Sequence, residues 1–180
     1  TKDMDLMGGL GKLMPYTAFC FLIGTMAISA LPPFNGFVSE WFTYQSLFTL
    51  SQSDDFVLKL AGPIAIIMLA LTGALAALCF VKVYGISFGG APRSEKAANA
   101  REVPKPMVIA MAVLALCCVL LGVGASVVTP IIAKISTALA HSEPLMLAQN
   151  GVVVAQAEPH TALSTPMVTI MLLAFFFLPF

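Results

Sequence analysis

The sequence predicts an all-α membrane protein, a transmembrane helix bundle with one broken helix, and three observations predict it. Of the 180 residues, 59% are hydrophobic and only 10% are charged, against about 45–50% and about 25% in a typical soluble domain. The apolar residues gather in uncharged runs, with a mean hydropathy of +0.94, and a helix crossing a hydrocarbon core needs roughly 20 such residues. One run is cut by Leu31-Pro32-Pro33-Phe34-Asn35-Gly36. A proline pair followed by asparagine and glycine cannot continue an unbroken helix.

The elements follow in order. Residues 1–14 form a lead-in with Lys2, Lys12 and three glycines. Residues 15–50 form a broken transmembrane helix, started by Pro15 at a first-turn position and interrupted over 31–36. Residues 51–56 make a short acidic turn, and residues 57–88 are the strongest span. Residues 89–106 are the strongly charged loop, with Arg93, Lys96, Arg101 and Lys105 against Glu95 and Glu102. Residues 107–132 form another span, residues 133–165 a polar and irregular segment, and residues 166–180 the start of a further span. The chain begins at Thr1 and stops inside an apolar run, and it is read as a C-terminal piece of a longer membrane protein.

Orientation follows from Lys and Arg in short loops, which concentrate on the cytoplasmic side. The loop 89–106 carries four and is expected inside; the turn 51–55 carries none and is expected in the periplasm, together with 133–165. The lead-in, with two lysines, belongs inside. A lead-in on the opposite side from the turn makes residues 15–50 one crossing built of two half-helices, rather than two crossings.

Several chemistries are excluded. Nine basic and nine acidic residues balance, and no basic stripe interleaved with aromatics exists, so nucleic acid is not a partner. Cys20, Cys79, Cys117 and Cys118 lie in apolar runs without CxxC spacing, while His141 and His160 lie in polar stretches. These are buried thiols and solvated imidazoles rather than metal, iron–sulfur or haem ligands. Gly89-Gly90 lacks the lysine and spacing of a phosphate loop. No cofactor and no self-contained active site are expected.

The break is where chemistry is expected. Broken helices at membrane depth are tolerated where protein or a water-filled cavity satisfies the freed backbone groups, and transporters place ion sites there. Glu40 follows Gly36 by four residues, and a carboxylate within a span costs about 2.5–3.5 kcal/mol even on the lenient insertion scale. With a half-helix starting at Phe37, Glu40 falls in its first turn, where the dipole favours an anion. Ser39, Thr43 and Tyr44 are placed to hold water beside it. Glu40 is therefore the candidate proton-transfer residue, and Pro32, Pro33 and Gly36 form the helix break. The competing reading makes Glu40 an interfacial helix-start acid with Trp41 and Tyr44 as belt aromatics. Lys82, near the inner end of its span, either snorkels to the headgroups or joins a proton path. Lys59 beside the turn is a boundary residue.

The strings Met7-Gly8-Gly9-Leu10, Met14-Pro15 and Ala30-Leu31-Pro32-Pro33-Phe34-Asn35-Gly36-Phe37-Val38-Ser39-Glu40-Trp41, with the later Pro92-Arg93-Ser94-Glu95, resemble a known family. It comprises the antiporter-like proton-translocating subunits of respiratory complex I, membrane-bound hydrogenases and multisubunit sodium/proton antiporters. The strings are most like the large membrane subunit of hydrogenase-4 or formate hydrogenlyase type complexes. The resemblance is strong over residues 1–106, weaker to 132 and absent beyond. It implies inverted helix repeats, each with one broken helix, residues 15–50 being the second. It also implies that the position of Glu40 ends a chain of charged residues through the membrane. Lys82 matches no such position.

The expected function is ion movement coupled to redox chemistry elsewhere in a complex. The alternatives are a structural membrane anchor or a stand-alone cation/proton antiporter. The expected partners are other membrane subunits, lipid, and protons or sodium, and the expected location is the bacterial cytoplasmic (inner) membrane.

Overall fold

The computed structural model describes residues 3–140 and, beyond them, 148–150, 153–155, 162–164, 167–168, 170–172 and 174. After a 3-10 turn, Met4–Leu6, the helices are α1 Leu10–Leu13, α2 Pro15–Ile28, α3 Asn35–Ser51, α4 Phe56–Phe88, α5 Glu95–Ala98, α6 Lys105–Val123 and α7 Ala125–Ala140. Three short antiparallel strands follow, β1 Ala148–Asn150, β2 Val153–Ala155 and β3 Ala162–Ser164. The chain is an all-α membrane bundle to which these strands are a small addition.

The composition of the surface identifies the bilayer as the solvent. Helices α4 and α6 are long and apolar enough to cross a membrane, each with mean hydropathy 2.7 over its most apolar stretch. None of that stretch is buried within the chain in α4, and 11% is in α6. Large aliphatic residues such as Leu78 and Val81 face outward, while most of the buried apolar residues are alanines, including Ala18, Ala27, Ala115 and Ala125. Helices in lipid associate through small residues that let backbones approach, since lipid already solvates the large ones.

Helices α2 and α3 follow one another along α4. Along α4, Gly62 lies against Leu47 and Ser51, and Gly73 lies against Glu40. Tyr84 and Phe88 then meet the ring of Phe21 at 6.4 and 5.3 Å, and the carbonyl of Gly89 accepts from the Gly9 N–H at 2.8 Å. The partner numbers fall steadily as α4 advances. The broken helix therefore runs antiparallel to α4 over its whole length, which at about 1.5 Å per residue approaches 50 Å. Its two ends lie at opposite ends of the bundle.

The lead-in and the loop 89–104 occupy the same end. Gly8 and Gly9 adopt positive φ (145° and 64°) against Ala91 and Pro92, a backbone shape that side chains disfavour. The hydroxyl of Ser94 donates to Leu6 O at 2.7 Å and also caps α5 by accepting from Ala97 N–H. Helix α6 then runs beside α2, so that Met111, Ala115 and Cys118 share a cavity wall with Thr17, Cys20 and Gly24.

Three local departures from the sequence reading have clear causes. The expected span 107–132 is interrupted at Gly124, which ends α6 by donating to Leu120 O at 2.8 Å and starts α7 by accepting from Val127 N–H at 3.0 Å. Glycine is a common site of such interruptions. The irregular segment expected from residue 133 begins later, because α7 continues to Ala140 through residues that keep an apolar outer face of Val127, Ile131 and Ile135. Beyond it, 148–150, 153–155 and 162–164 pair as strands. His141, His160 and most of residues 166–180 lie outside the described residues.

Candidate functional site at the helix break

The break is a capped end rather than an unravelled stretch. Helix α2 closes with Ala30 N–H donating to Ala27 O at 3.2 Å and Leu31 N–H donating to Met26 O at 3.0 Å. This is the Schellman arrangement, and its left-handed residue is Ala30 at φ 51°, a place usually taken by glycine. The Pro32–Pro33 peptide bond is cis. Helix α3 resumes at Asn35 without a side-chain cap.

Two glycines let the broken ends pack. A β-carbon on Gly36 would collide with the carbonyl oxygen of Ala27, the last turn of α2. One on Gly122 of α6 would collide with Pro33 O and press on the backbone of Phe34. Phe34 is itself buried, 6% exposed. The two breaks, at 29–34 and at Gly124, therefore stand side by side.

Glu40 lies half-buried in the cavity this creates, about 600 Å³ in volume, with Asn35, Gly36, Ser39, Thr43, Leu69 and Cys118 among its lining. Its Oε1 is 3.3 Å from the β position of Gly73, so a β-carbon there would require the carboxyl to give by a few tenths of an ångström. Among the described residues, no side chain or N–H donates to the Glu40 carboxyl. Because α3 begins at Asn35, Glu40 is its sixth residue rather than in its first turn, which corrects the expected dipole contact: that effect fades beyond the first turn.

The other expected residues divide. Ser39 and Thr43 line the Glu40 cavity, and the Thr43 hydroxyl donates to Ser39 O at 3.0 Å. Tyr44 is one turn from Glu40 on the same face of α3 but is not part of the cavity lining. The structure does not bring Lys82 to this place. It is exposed and nine residues beyond Gly73 on α4, which at 100° per residue puts it on the opposite face and roughly 13 Å along the axis. Trp41 stacks on Phe37 with ring centroids 6.4 Å apart. Its indole N–H is buried without a hydrogen-bond partner among the described residues.

One residue that sequence reasoning missed is Glu102. Its carboxylate accepts from the Thr17 hydroxyl at 2.5 Å, from Tyr16 N–H at 3.0 Å and from Val103 N–H at 3.2 Å, with a longer contact to Thr17 N–H. Helix α2 has no local side-chain cap, and Glu102 supplies one from 85 residues away, satisfying first-turn N–H groups and the positive helix end. The Thr17 hydroxyl first, and then the backbone N–H groups, hold its carboxyl below the ordinary carboxylate range against partial desolvation. A lone acid in a charged loop gives no signal of this in the sequence. Neither Gly73 nor Gly122 is marked by any motif.

Residues 1–68 match the family model described as NADH:quinone oxidoreductase/Mrp antiporter, transmembrane. The chain is 50% identical over 179 residues to hydrogenase-4 component B of Escherichia coli K12, covering 99% of this chain and 26% of that protein. It is 44% identical over 180 residues to formate hydrogenlyase subunit 3 of the same organism, covering 99% and 27%, so the likeness continues past residue 132, where the sequence motifs showed none. The fold matches a chain of an archaeal respiratory membrane complex, the membrane-bound sulfane sulfur reductase. The TM-score is 0.71 at 18% identity, over 98% of this chain and 26% of that one. The chain thus spans about a quarter of the length of the curated relatives it matches.

Proposed function

We propose, from the premise that the chain belongs through its residues 1–68 to the NADH:quinone oxidoreductase/Mrp antiporter membrane family, that it forms part of a proton-translocating subunit in a redox-driven membrane complex. The observation that carries this reading is the Glu40 carboxyl, set in a cavity beside a capped helix break with no protein donor among the described residues. Such a group takes and gives protons by way of water.

In this reading, Glu40 alternates between neutral and ionised forms as water enters and leaves the break. Ser39 and Thr43 orient that water. Pro32, Pro33 and Gly36 keep the two half-helices apart so that the cavity exists. Lys82 faces away from the cavity and serves the membrane boundary. The loop 89–106 and the lead-in, which share one end of the bundle, lie on the cytoplasmic side, and residues 51–55 lie on the periplasmic side of a bacterial inner membrane. Other membrane subunits of the complex cover the outward faces that lipid does not. Similarity to hydrogenase-4 component B and formate hydrogenlyase subunit 3 supports a hydrogenase or formate hydrogenlyase setting.

The test is proton pumping per electron pair in vesicles holding the intact parent complex. Glu40→Gln, which keeps shape and removes the titrating group, is expected to lower pumping strongly while the complex assembles. Glu40→Asp is expected to retain part of it. A Glu40→Gln complex that assembles and pumps like the parent makes Glu40 a structural acid.

A further inference from the structure

The starts of α2 and α6 are tied together at the end of the bundle that holds the lead-in. Glu102 stands just ahead of Lys105, the first residue of α6. Its Oε1 accepts from Val103 N–H at 3.2 Å, which holds the side chain against the chain leading into that helix. The same oxygen accepts from the Thr17 hydroxyl at 2.5 Å, and Oε2 accepts from Tyr16 N–H at 3.0 Å, both in the first turn of α2. Two helices that share a carboxylate at their starts cannot slide past one another without breaking charge-assisted hydrogen bonds, which are stronger than neutral ones.

The far ends of the same two helices meet at the break. Gly122 of α6 lies against Pro33 O and the backbone of Phe34, and Gly36 of α3 lies against Ala27 O in the last turn of α2. Between the two ends the packing is open. A cavity of about 330 Å³ lies between α2 and α6, with Cys20 and Gly24 on one wall and Met111, Ala115 and Cys118 on the other. No neighbouring atom lies within 4 Å of the β position of Gly24. Interdigitated side chains normally fix the register of two helices. Here a cavity takes the place of many of them, so the axial position of α2 rests on its ends.

The break transmits that position because it has no slack. A β-carbon on Gly36 would already collide with Ala27 O, so a movement of α2 toward α3 must be taken up by α3. Helix α3 carries Glu40, whose Oε1 stands 3.3 Å from the β position of Gly73 on α4.

We propose that Glu102 is a positioning residue for Glu40: by joining the starts of α2 and α6 it sets the axial position of α2 and, through the contact of Ala27 with Gly36, the place of the Glu40 carboxyl in its cavity. This rests on the reading of Glu40 as the titrating group. The loop 89–106 is thereby joined mechanically to the break, roughly 20 Å away along the 14 residues of α2.

The test uses the full-length protein in its complex, in membrane vesicles, with Glu102→Gln, Glu102→Asp and the milder Thr17→Val, which leaves the backbone N–H groups of α2 in place. Protons pumped per electron pair are expected to fall about twofold or more in Glu102→Gln and less in the other two, with electron transfer and assembly retained. A role confined to stability would lower the amount of complex and leave that ratio alone. An unchanged ratio in all three variants while Glu40→Gln is impaired overturns the proposal. Glu102→Gln combined with Thr17→Val is expected to be no worse than Glu102→Gln alone, since the two side chains act through one contact; additive losses overturn the clasp as the cause. Nitroxide labels on cysteines introduced at Phe19 and Leu120, both exposed, with native cysteines replaced, read the register of α2 against α6. In Glu102→Gln their separation is expected to broaden or to shift by about 1.5 Å, one residue's rise. A distribution identical to the parent's overturns the positioning role whatever the pumping shows. Normal pumping in Glu40→Gln overturns the reading of Glu40 and its positioning with it, while the label separation still decides whether Glu102 sets the place of α2.

Discussion

Gly122→Ala is the most demanding perturbation of the packing at the break. A β-carbon there would collide with Pro33 O and stand 2.5 Å from the carbonyl carbon and 2.7 Å from the Cα of Phe34, where ordinary contacts begin at 3.4 Å. All of these are backbone atoms of the segment between the capped end of α2 and the start of α3, so no side chain can swing aside. The helices must separate by about 1 Å, and overpacking of this kind costs about 1–3 kcal/mol. Alanine regains up to about 1 kcal/mol of helix propensity over glycine, which leaves a net loss of about 2 kcal/mol when the steric cost falls at its upper end. The chain spans about a quarter of its relatives' length, so in the full-length protein this corresponds to roughly 1–2 °C in Tm, because the shift per kcal/mol falls with size. Gly85→Ala is the control: no atom lies within 4 Å of its β position, and the same propensity gain is expected to leave stability unchanged or slightly higher. Thermal unfolding of the full-length protein in detergent, with the two variants side by side, reads the difference. A Gly122→Ala melt equal to that of Gly85→Ala refutes the close approach of α6 to the break.

Ala30→Gly is expected to be tolerated or to raise the melting temperature slightly, because glycine accepts the left-handed φ of 51° that strains a side-chain-bearing residue; a marked fall contradicts the Schellman end. Glu102 has a depressed carboxyl pKa, so its contribution to stability is present above the ordinary carboxylate value and is lost as pH falls through the lower folded value. Melting curves taken from neutral to acid pH are expected to fall less steeply for Glu102→Gln than for the parent, and parallel curves contradict the clasp. A cysteine at Ala98 is expected to be modified by an impermeant thiol reagent only from the cytoplasmic side, and labelling only from the periplasmic side reverses the orientation. Gly73→Leu is expected to displace the Glu40 carboxyl and lower pumping several-fold with assembly retained, since the approach of Oε1 to α4 leaves no room for a branched side chain.

The bundle was legible because bilayer physics is written in composition. Long uncharged runs can be satisfied only as helices when no water is available, and a proline pair with glycine can only interrupt one. Glu40 stood out because an acid within an apolar run is costly and needs a reason. What escaped the sequence depends on distance along the chain. Glu102 caps a helix whose first turn lies 85 residues away, and no local spacing encodes that. Gly73 and Gly122 look like ordinary glycines of membrane helices until the partner backbone is in place. The start of α3 at Asn35, two residues before Phe37, moved Glu40 out of the dipole-dominated first turn, and boundaries at this level depend on how the preceding helix end packs. The interruption at Gly124 was hidden because the residues on either side continue the same apolar run.

The central claim is that Glu40 changes protonation during turnover. Infrared difference spectroscopy of the intact complex, comparing resting and turning-over states in ordinary and heavy water, reads this directly. A protonated-carboxyl C=O band that appears or disappears with turnover, shifts in heavy water and vanishes in Glu40→Gln is the predicted result. A difference spectrum whose carboxyl bands are the same in the parent and in Glu40→Gln would contradict the account.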